Sequence, residues 1–249
     1  MVEIEGCTAI VTGGNRGIGL GFVRTLLNEG ARKIYIGSRD PADGETIAAE
    51  APDRLSAVKL DVTNPEDVAA AADACGDVDL VVNNAGVFGH QTLIGAPDMS
   101  SVRQEMEVNF FGLLAMCRAF APVLKANEGG AIINVLSAGG IVAVPDMGGY
   151  SPSKFAARAA SNCIRAELAP QGTQVTALIV GSVDTRMAAH VKGIKKSQPE
   201  DIAASALAAV RRGVEEHDTD VHAMSVRAWL ARDPSGLAAS MAARMAKAD

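Results

Sequence analysis

The sequence has no C-x-x-C pair, no surplus of basic residues and no unbroken apolar run of the roughly twenty residues that a bilayer-spanning helix needs. Each lack removes a class of function. Cys7, Cys75, Cys117 and Cys163 are widely scattered, which fits buried reduced thiols in a cytoplasmic protein better than a disulfide framework. A net charge of −6 argues against nucleic acid or an anionic membrane as the main partner. The opening Met1-Val2-Glu3-Ile4-Glu5-Gly6 is acidic and lacks a long apolar core, so no secretory leader is expected there. His90, His190, His217 and His222 do not pair with cysteine or carboxylate at metal-ligand spacing. They read as surface or packed imidazoles, and no metal site is expected.

What is present is a regular alternation. Of 249 residues, 48% are apolar, enough for one large core. Short β-branched runs recur at Thr8–Val11, Lys33–Ile36, Ala57–Leu60, Leu80–Val82, Ala131–Leu136 and Gln174–Val180. Between them lie stretches of helical period, at Gly17–Glu29, Pro65–Cys75, Ser100–Asn127 and Ser151–Leu168. This order predicts an α/β fold: a Rossmann-type, doubly wound parallel sheet of six to seven strands with helices on both faces. Continuously apolar strands such as Ala131-Ile132-Ile133 fit a sheet covered on both sides. No linker, charge block or repeat divides the chain, so residues 1–249 are expected to form one domain. A substrate loop is expected over 185–200, and over 220–249 a short strand near Val221 followed by a helical tail holding Trp229.

The first strand runs into Thr12-Gly13-Gly14-Asn15-Arg16-Gly17-Ile18-Gly19 and then a helix. Glycines there let backbone approach a ligand, and the helix start offers N–H groups to an anion. In a strand–turn–helix setting this predicts a dinucleotide site. At the tip of the second strand stand Gly37-Ser38-Arg39-Asp40 rather than a lone acid. A hydroxyl and a guanidinium, with Arg16 nearby, suit a ribose 2′-phosphate and favour NADP(H) over NAD(H). Asp40 opposes this if a one-residue shift brings it to the ribose. Asp61, next to Val62, is placed to bond an adenine amino group, while Thr63 or Asn64 before Pro65 suits a helix cap. The amides of Asn83-Asn84-Ala85-Gly86 close the fourth strand and can bond backbone at the sheet's mouth. Asn109, among Val108, Phe110 and Phe111, is expected to bond a partner at a helix kink.

Gly149-Tyr150-Ser151-Pro152-Ser153-Lys154 sets a phenol and an ammonium four residues apart, on one helix face. Pro152 puts Tyr150 near a helix start. A free tyrosine titrates near pH 10, so proton transfer near neutrality needs a fall of about 2–3 units, or roughly 3–4 kcal/mol. A cation at about 4–6 Å lowers an acid by roughly 1–3 units. The positive helix end adds up to about 1 kcal/mol.

Taken with Ser137 and Gly181-x-Val183-x-Thr185, these motifs resemble the short-chain dehydrogenase/reductase family, in its single-domain branch, from residue 12 to residue 185. The resemblance implies hydride transfer between a nicotinamide and a carbonyl or alcohol. Tyr150 is then the acid in reduction and the base in oxidation, and Ser137 holds the substrate oxygen. Lys154 binds the nicotinamide ribose and lowers the phenol, and Asn109 holds a water linking Lys154 to solvent. Thr185 and Val183 grip the carboxamide, and Asp61 and Val62 the adenine. Val180 stands where the family usually has proline, a change expected to loosen that loop. The tail lacks the family's usual Asp-Gly-Gly segment, which puts a tetramer in doubt. A homodimer through helices around Phe110–Ala121 and Ala156–Leu168 remains open.

The expected pocket wall is apolar: Val87, Phe88, Gly139, Gly140, Ile141, Val144, Met147 and Met187, with His90 as the polar exception. That favours NADPH-dependent reduction of an apolar ketone or aldehyde. Lys192, Lys195 and Lys196 keep a 3-oxoacyl-thioester reductase open as an alternative. A catalytically silent NADP(H)-binding regulator is a further alternative of another class, opposed by the presence together of Asn109, Ser137, Tyr150 and Lys154.

Overall fold

In the computed structural model, which describes residues 3–191 and 193–245, seven strands form one sheet. They are β1 (Thr8–Thr12), β2 (Lys33–Ser38), β3 (Leu55–Lys59), β4 (Leu80–Asn83), β5 (Gly130–Val135), β6 (Thr173–Ile179) and β7 (Glu216–Asp218). All pairings are parallel, in the order β3-β2-β1-β4-β5-β6-β7. The helices are α1 (Gly17–Asn28), α2 (Pro41–Ala48), α3 (Pro65–Ala74), α4 (Ser100–Met106), α5 (Leu113–Ala126), α6 (Tyr150–Leu168), α7 (Pro199–Arg211), α8 (Val221–Arg232) and α9 (Pro234–Met245).

The period-two rule explains why the central strands are apolar throughout. Ala9 and Val11 of β1 point into one buried cluster, with Leu80 and Val82 of β4 and Ala131 and Ile133 of β5. Phe22 and Leu26 of α1 and Ile202 and Leu207 of α7 cover that face. Ile10, Val81 and Ile132 point the other way, onto Val68 of α3, Phe120 and Leu124 of α5, and Ile164 of α6.

Two elements differ from expectation. The seventh strand is Glu216–Asp218, not a segment near Val221, because Asp220 caps α8 by accepting from the amides of His222 and Ala223. This edge strand is charged rather than apolar. Arg158 pairs with Glu216, and Arg227 with both Glu216 and Asp218. The second difference lies in the stretch read as one helix over 100–127. Six residues, Glu107–Gly112, form a wider π-helical turn between α4 and α5. Ser100–Ala126 as a whole is long and apolar enough, by length and composition, to cross a membrane. Its inner residues Leu113, Met116, Phe120 and Leu124 instead pack on the sheet.

The tail forms α8 and α9, and Leu237 of α9 is buried with Val142 and Val144, alongside Trp229 and Met241. Residues 246–249 of that tail and Lys192 lie outside the described residues. Three of the four cysteines are buried, but Cys163 is exposed, contrary to the expectation of four buried thiols. Burial pushes the thiols of Cys7, Cys75 and Cys117 up to about 12, so they stay protonated.

Candidate active site

The strand order reverses between β1 and β4, and the loops leaving their carboxyl ends bound a cleft of about 1420 Å³. Crevices of this kind, outside the carboxyl ends of parallel strands, are where such sheets take ligands. Gly13, Asn15, Arg16, Gly17 and Ile18 form one end of the cleft. Gly13 and Gly17 have φ of 62° and 54°, left-handed conformations that explain glycine at both places. Gly19 does not line the cleft. A Cβ there would lie 2.2 Å from the Gly13 carbonyl oxygen, so its part is to let α1 close on the turn.

One hydroxyl joins β1 to β4. Thr12 Oγ1 accepts from the amides of Asn84 and Ala85, both at 2.9 Å. The Asn84 side chain donates back to the Thr12 and Gly13 carbonyls. Asn83 turns inward instead, donating to Asn134, which donates in turn to Ser161 of α6. Ala85 and Gly86 border the cleft.

Ser38, Arg39, Asp61 and Val62 also border it. The Ser38 hydroxyl donates to the Asp40 carbonyl at 2.7 Å, and Asp40 itself caps α2 by accepting from the Ala42 amide. The exposed Asp40 carboxylate also borders the cleft, with one oxygen taken by this helix start. Arg16 and Arg39 are exposed at this edge. Asp61 accepts from the amide and hydroxyl of Thr63, and Asn64 caps α3.

At the other end lie Ser137, Tyr150, Lys154, Gly181, Val183 and Thr185. Tyr150 is the first residue of α6, as Pro152 implied. Lys154, one turn on, is 4% exposed and donates to the Val135 carbonyl at the end of β5 at 2.9 Å. Its Nζ lies 5.7 Å from the centre of the Tyr150 ring. Burial lowers Lys154 from 10.5 to about 8. Tyr150 is raised above its ordinary value, first by burial and then by the Glu105 carboxylate, with the Ser137 hydroxyl working the other way. The phenol thus stands above its ordinary value rather than below it as expected, with burial the largest cause. Asn109 sits in the wide turn, 1% exposed and behind the cleft. It accepts from the Val87 amide at 2.8 Å and donates to the Val87 carbonyl and the Ser153 hydroxyl, both at 3.0 Å.

The loop after β6 is held rather than loosened at Val180. Asp220 accepts from the Gly181 amide at 2.7 Å, and Ser182 is 3.0 Å from His222 Nδ1. The pocket wall matches expectation at Val87, Phe88, His90, Gly139, Val144, Met147 and Met187. Gly140 and Ile141 do not line it: Gly140 backs onto Lys154, and Ile141 points into the core. Three features escaped the sequence. His190 meets His90 edge-on at 4.8 Å, with Phe88 stacked between His90 and Tyr150 at 4.0 and 5.2 Å. Met241 of α9 reaches the cleft from the tail. Glu105 is buried behind it. Each depends on contacts distant in the chain, which no local pattern displays.

A glycine turn at the strand reversal and a hydroxyl, phenol and ammonium at the far end make this a nicotinamide-dinucleotide type of oxidoreductase cleft. The family profile described as short chain dehydrogenase matches residues 7–195, and the chain belongs to that family. A short chain dehydrogenase from Burkholderia cenocepacia, solved in complex with NADP, superposes with a TM-score of 0.90 at 42% identity, covering 96% of this chain and 99% of that one. The 3-alpha-(or 20-beta)-hydroxysteroid dehydrogenase of Mycobacterium tuberculosis is 34% identical over 227 residues, 90% of this chain and 84% of that protein. A 3-ketoacyl-(acyl-carrier-protein) reductase from Brucella melitensis, complexed with NADH, gives a TM-score of 0.79 at 27% identity over 87% of this chain and 98% of that one.

The Lys154 environment has a measurable cost. Its side chain binds a proton near 10.5 when unfolded and near 8 when folded. Between those values the unfolded chain holds the extra proton, so this site's contribution to stability rises as pH goes from about 8 to about 10.5. Below pH 8 the buried charge costs about 3 kcal/mol net. Lys154→Met is expected to melt at a higher temperature than the parent at pH 7, with the difference fading by pH 10.5. A difference that stays constant across thermal melts in that range would contradict this account.

Proposed function

We propose that the protein is an NADPH-dependent reductase of apolar ketones or aldehydes, with Tyr150 as the general acid. The observation that carries this is the convergence at one end of the cleft of the Ser137 hydroxyl, the Tyr150 phenol and the buried Lys154 ammonium. Bound dihydronicotinamide supplies the hydride. As the carbonyl carbon gains it, negative charge grows on the oxygen, and prepositioned donors there lower the barrier. Ser137 donates to that oxygen and Tyr150 delivers its proton to it. A phenol held above its ordinary range by burial stays protonated through neutrality, which suits reduction over oxidation. Lys154 holds the nicotinamide ribose with its charge, and the phenolate left by proton transfer draws on the same charge. Asn109, bonded to Val87 and Ser153, holds the back of this corner. Val183 and Thr185 are assigned to the carboxamide.

For the coenzyme, Arg16 and Arg39 are free to meet a 2′-phosphate while Asp40 is engaged as a cap. The NADP complex of the Burkholderia relative supports this choice. For the carbonyl, the apolar wall of Val87, Phe88, Val144, Met147 and Met187 supports a bulky apolar substrate, in keeping with the hydroxysteroid dehydrogenase relative. The thioester alternative has less support. Lys196 is tied to the Ala188 carbonyl, so of the two described lysines of the loop Lys195 is the one left extended into solvent. Self-association through residues 110–121 and 156–168 fits exposed Phe111 and Phe155 beside them.

Tyr150→Phe is expected to lower kcat for carbonyl reduction at least about 100-fold, followed as loss of dihydronicotinamide absorbance; full activity would refute the acid. Arg39→Ala is expected to raise KM for NADPH about tenfold, a loss of roughly 1.4 kcal/mol, while KM for NADH moves little. Equal effects on both coenzymes would overturn the phosphate reading. Light scattering is expected to give the mass of a dimer, and a monomer mass at micromolar protein would exclude the helix-mediated pairing.

A further inference from the structure

Glu105 is a carboxylate with no part in the chemistry just described, and it is 2% exposed. It lies on α4, four residues before Asn109, so the two side chains leave neighbouring turns of one helical stretch. Both reach the same loop after β4. Asn109 takes the amide and carbonyl of Val87, and Glu105 Oε1 accepts from the Gly89 amide at 2.9 Å. Between these anchors stands Phe88, whose ring meets Tyr150, and beyond them His90 with φ of 54°.

The second carboxylate oxygen points at the start of α6. A Cβ on Gly149 would lie 2.6 Å from Glu105 Oε2 and 2.7 Å from the Val102 Cα, so glycine at 149 permits this approach. Gly89 makes the matching concession, since a Cβ there would meet the Ser101 hydroxyl at 1.9 Å. Oε2 and Ser101 Oγ are buried and make no hydrogen bond of good geometry among the described residues, yet the Ser101 hydroxyl and the Gly149 amide face the carboxylate closely enough to lower its proton affinity, as the Gly89 amide does. Burial outweighs them and raises it above the usual range, so the group is costly where it sits. Two glycines thus make room for a costly group directly behind the residue before Tyr150.

We propose that Glu105 is a positioning residue that clamps the pocket loop at Gly89 against the first turn of α6 and sets, by its negative charge, the pH at which Tyr150 gives up its proton. This rests on Tyr150 being the acid. The charged and titratable groups bordering the cleft around this corner are Tyr150 and Lys154 from α6, Arg103 from α4, Glu107 from the wide turn, His90 from the loop after β4, Arg186 and His190 from the loop after β6, and His222 from α8, all of them common to parent and variant. Burial, and then His190, hold His90 below its ordinary value, so it is uncharged at the alkaline pH where a phenol titrates. Lys154, lowered by burial to about 8, titrates in the same alkaline range and feels the same change of charge. The phenol is therefore followed separately by its phenolate ultraviolet absorbance in parent and Glu105→Gln, where no difference would overturn the electrostatic role. An ionised carboxylate beside a phenol disfavours phenolate, so Glu105 keeps the acid loaded at higher pH.

The test compares the pH profile of kcat/KM for NADPH-dependent reduction in the parent, Glu105→Gln, Glu105→Ala and Tyr150→Phe. Glutamine keeps an acceptor for Gly89 and removes the charge. Glu105→Gln is expected to retain activity at pH 7 within a few fold, while its alkaline limb moves down by about 0.5–1 pH unit. Glu105→Ala, lacking the clamp, is expected to lose activity at every pH and to be less stable to heat. Superimposable profiles for the parent and Glu105→Gln would overturn the electrostatic role. Full activity in Glu105→Ala would overturn the clamp. A shifted limb in Glu105→Gln cannot come from packing alone, since the amide has the same shape. Tyr150→Phe separates the layers. If it stays active the acid assignment falls, whereas an inactive Tyr150→Phe with an unshifted Glu105→Gln sinks only the present inference.

Discussion

Burying an ammonium is the constraint on which the corner around Tyr150 depends. Lys154 has one strand carbonyl, that of Val135, to replace the water it has lost. That bond fastens the first turn of α6 to the end of β5, and Ser137 stands two residues beyond the carbonyl. The charge is unfavourable where it sits, as its lowered proton affinity shows. A cation held at such cost suits the proposed role, in which an anionic phenolate and the oxygen receiving hydride exist only during turnover. The remaining polar contacts follow from that need. Thr12 and Asn84 lock the two central strands at the mouth, while Asn83, Asn134 and Ser161 tie β4, β5 and α6 together below it.

The tail supplies what the loop after β6 lacks. Without a proline before Gly181, the backbone there is fixed by Asp220, which at the same time starts α8. One carboxylate thus sets both the Gly181 end of the cleft and the helix that carries α9 to the pocket wall. Leu237 and Met241 then close the side of the cleft formed by Val142 and Val144.

Much of this was legible in the residues alone. Strands β1 to β6, the glycine turn, the phenol at a helix start and the kink at Asn109 all have local causes: β-branched runs, φ > 0 positions, a proline in the first turn, a polar side chain in an apolar stretch. What could not be read has causes far apart in the chain. Glu216–Asp218 looks like surface until Arg158 and Arg227 neutralise it. His90 and His190 meet because two loops converge, and Glu105 matters because Gly89 and Gly149 make room for it. The state of Tyr150 also depends on how deeply it is buried, and spacing does not report that. Asp40 shows the reverse case: Pro41 starts a helix that needs a cap, a local cause for an aspartate there that a reading of the ribose site alone overlooks.

The widened turn at Glu107–Gly112 has a geometric corollary. An α-helix advances about 100° of rotation per residue, so a turn that takes in one extra residue lets the segments before and after it be aimed separately. α5 keeps its apolar stripe on the sheet, whereas α4 directs Glu105 toward the pocket loop. Removing a single residue from this turn would restore an unbroken spiral and swing α4 by roughly that angle about its axis. The sheet would keep its cover, and the loop carrying Phe88 would lose its fastening. Core and pocket are in this way tuned on opposite sides of one irregular turn.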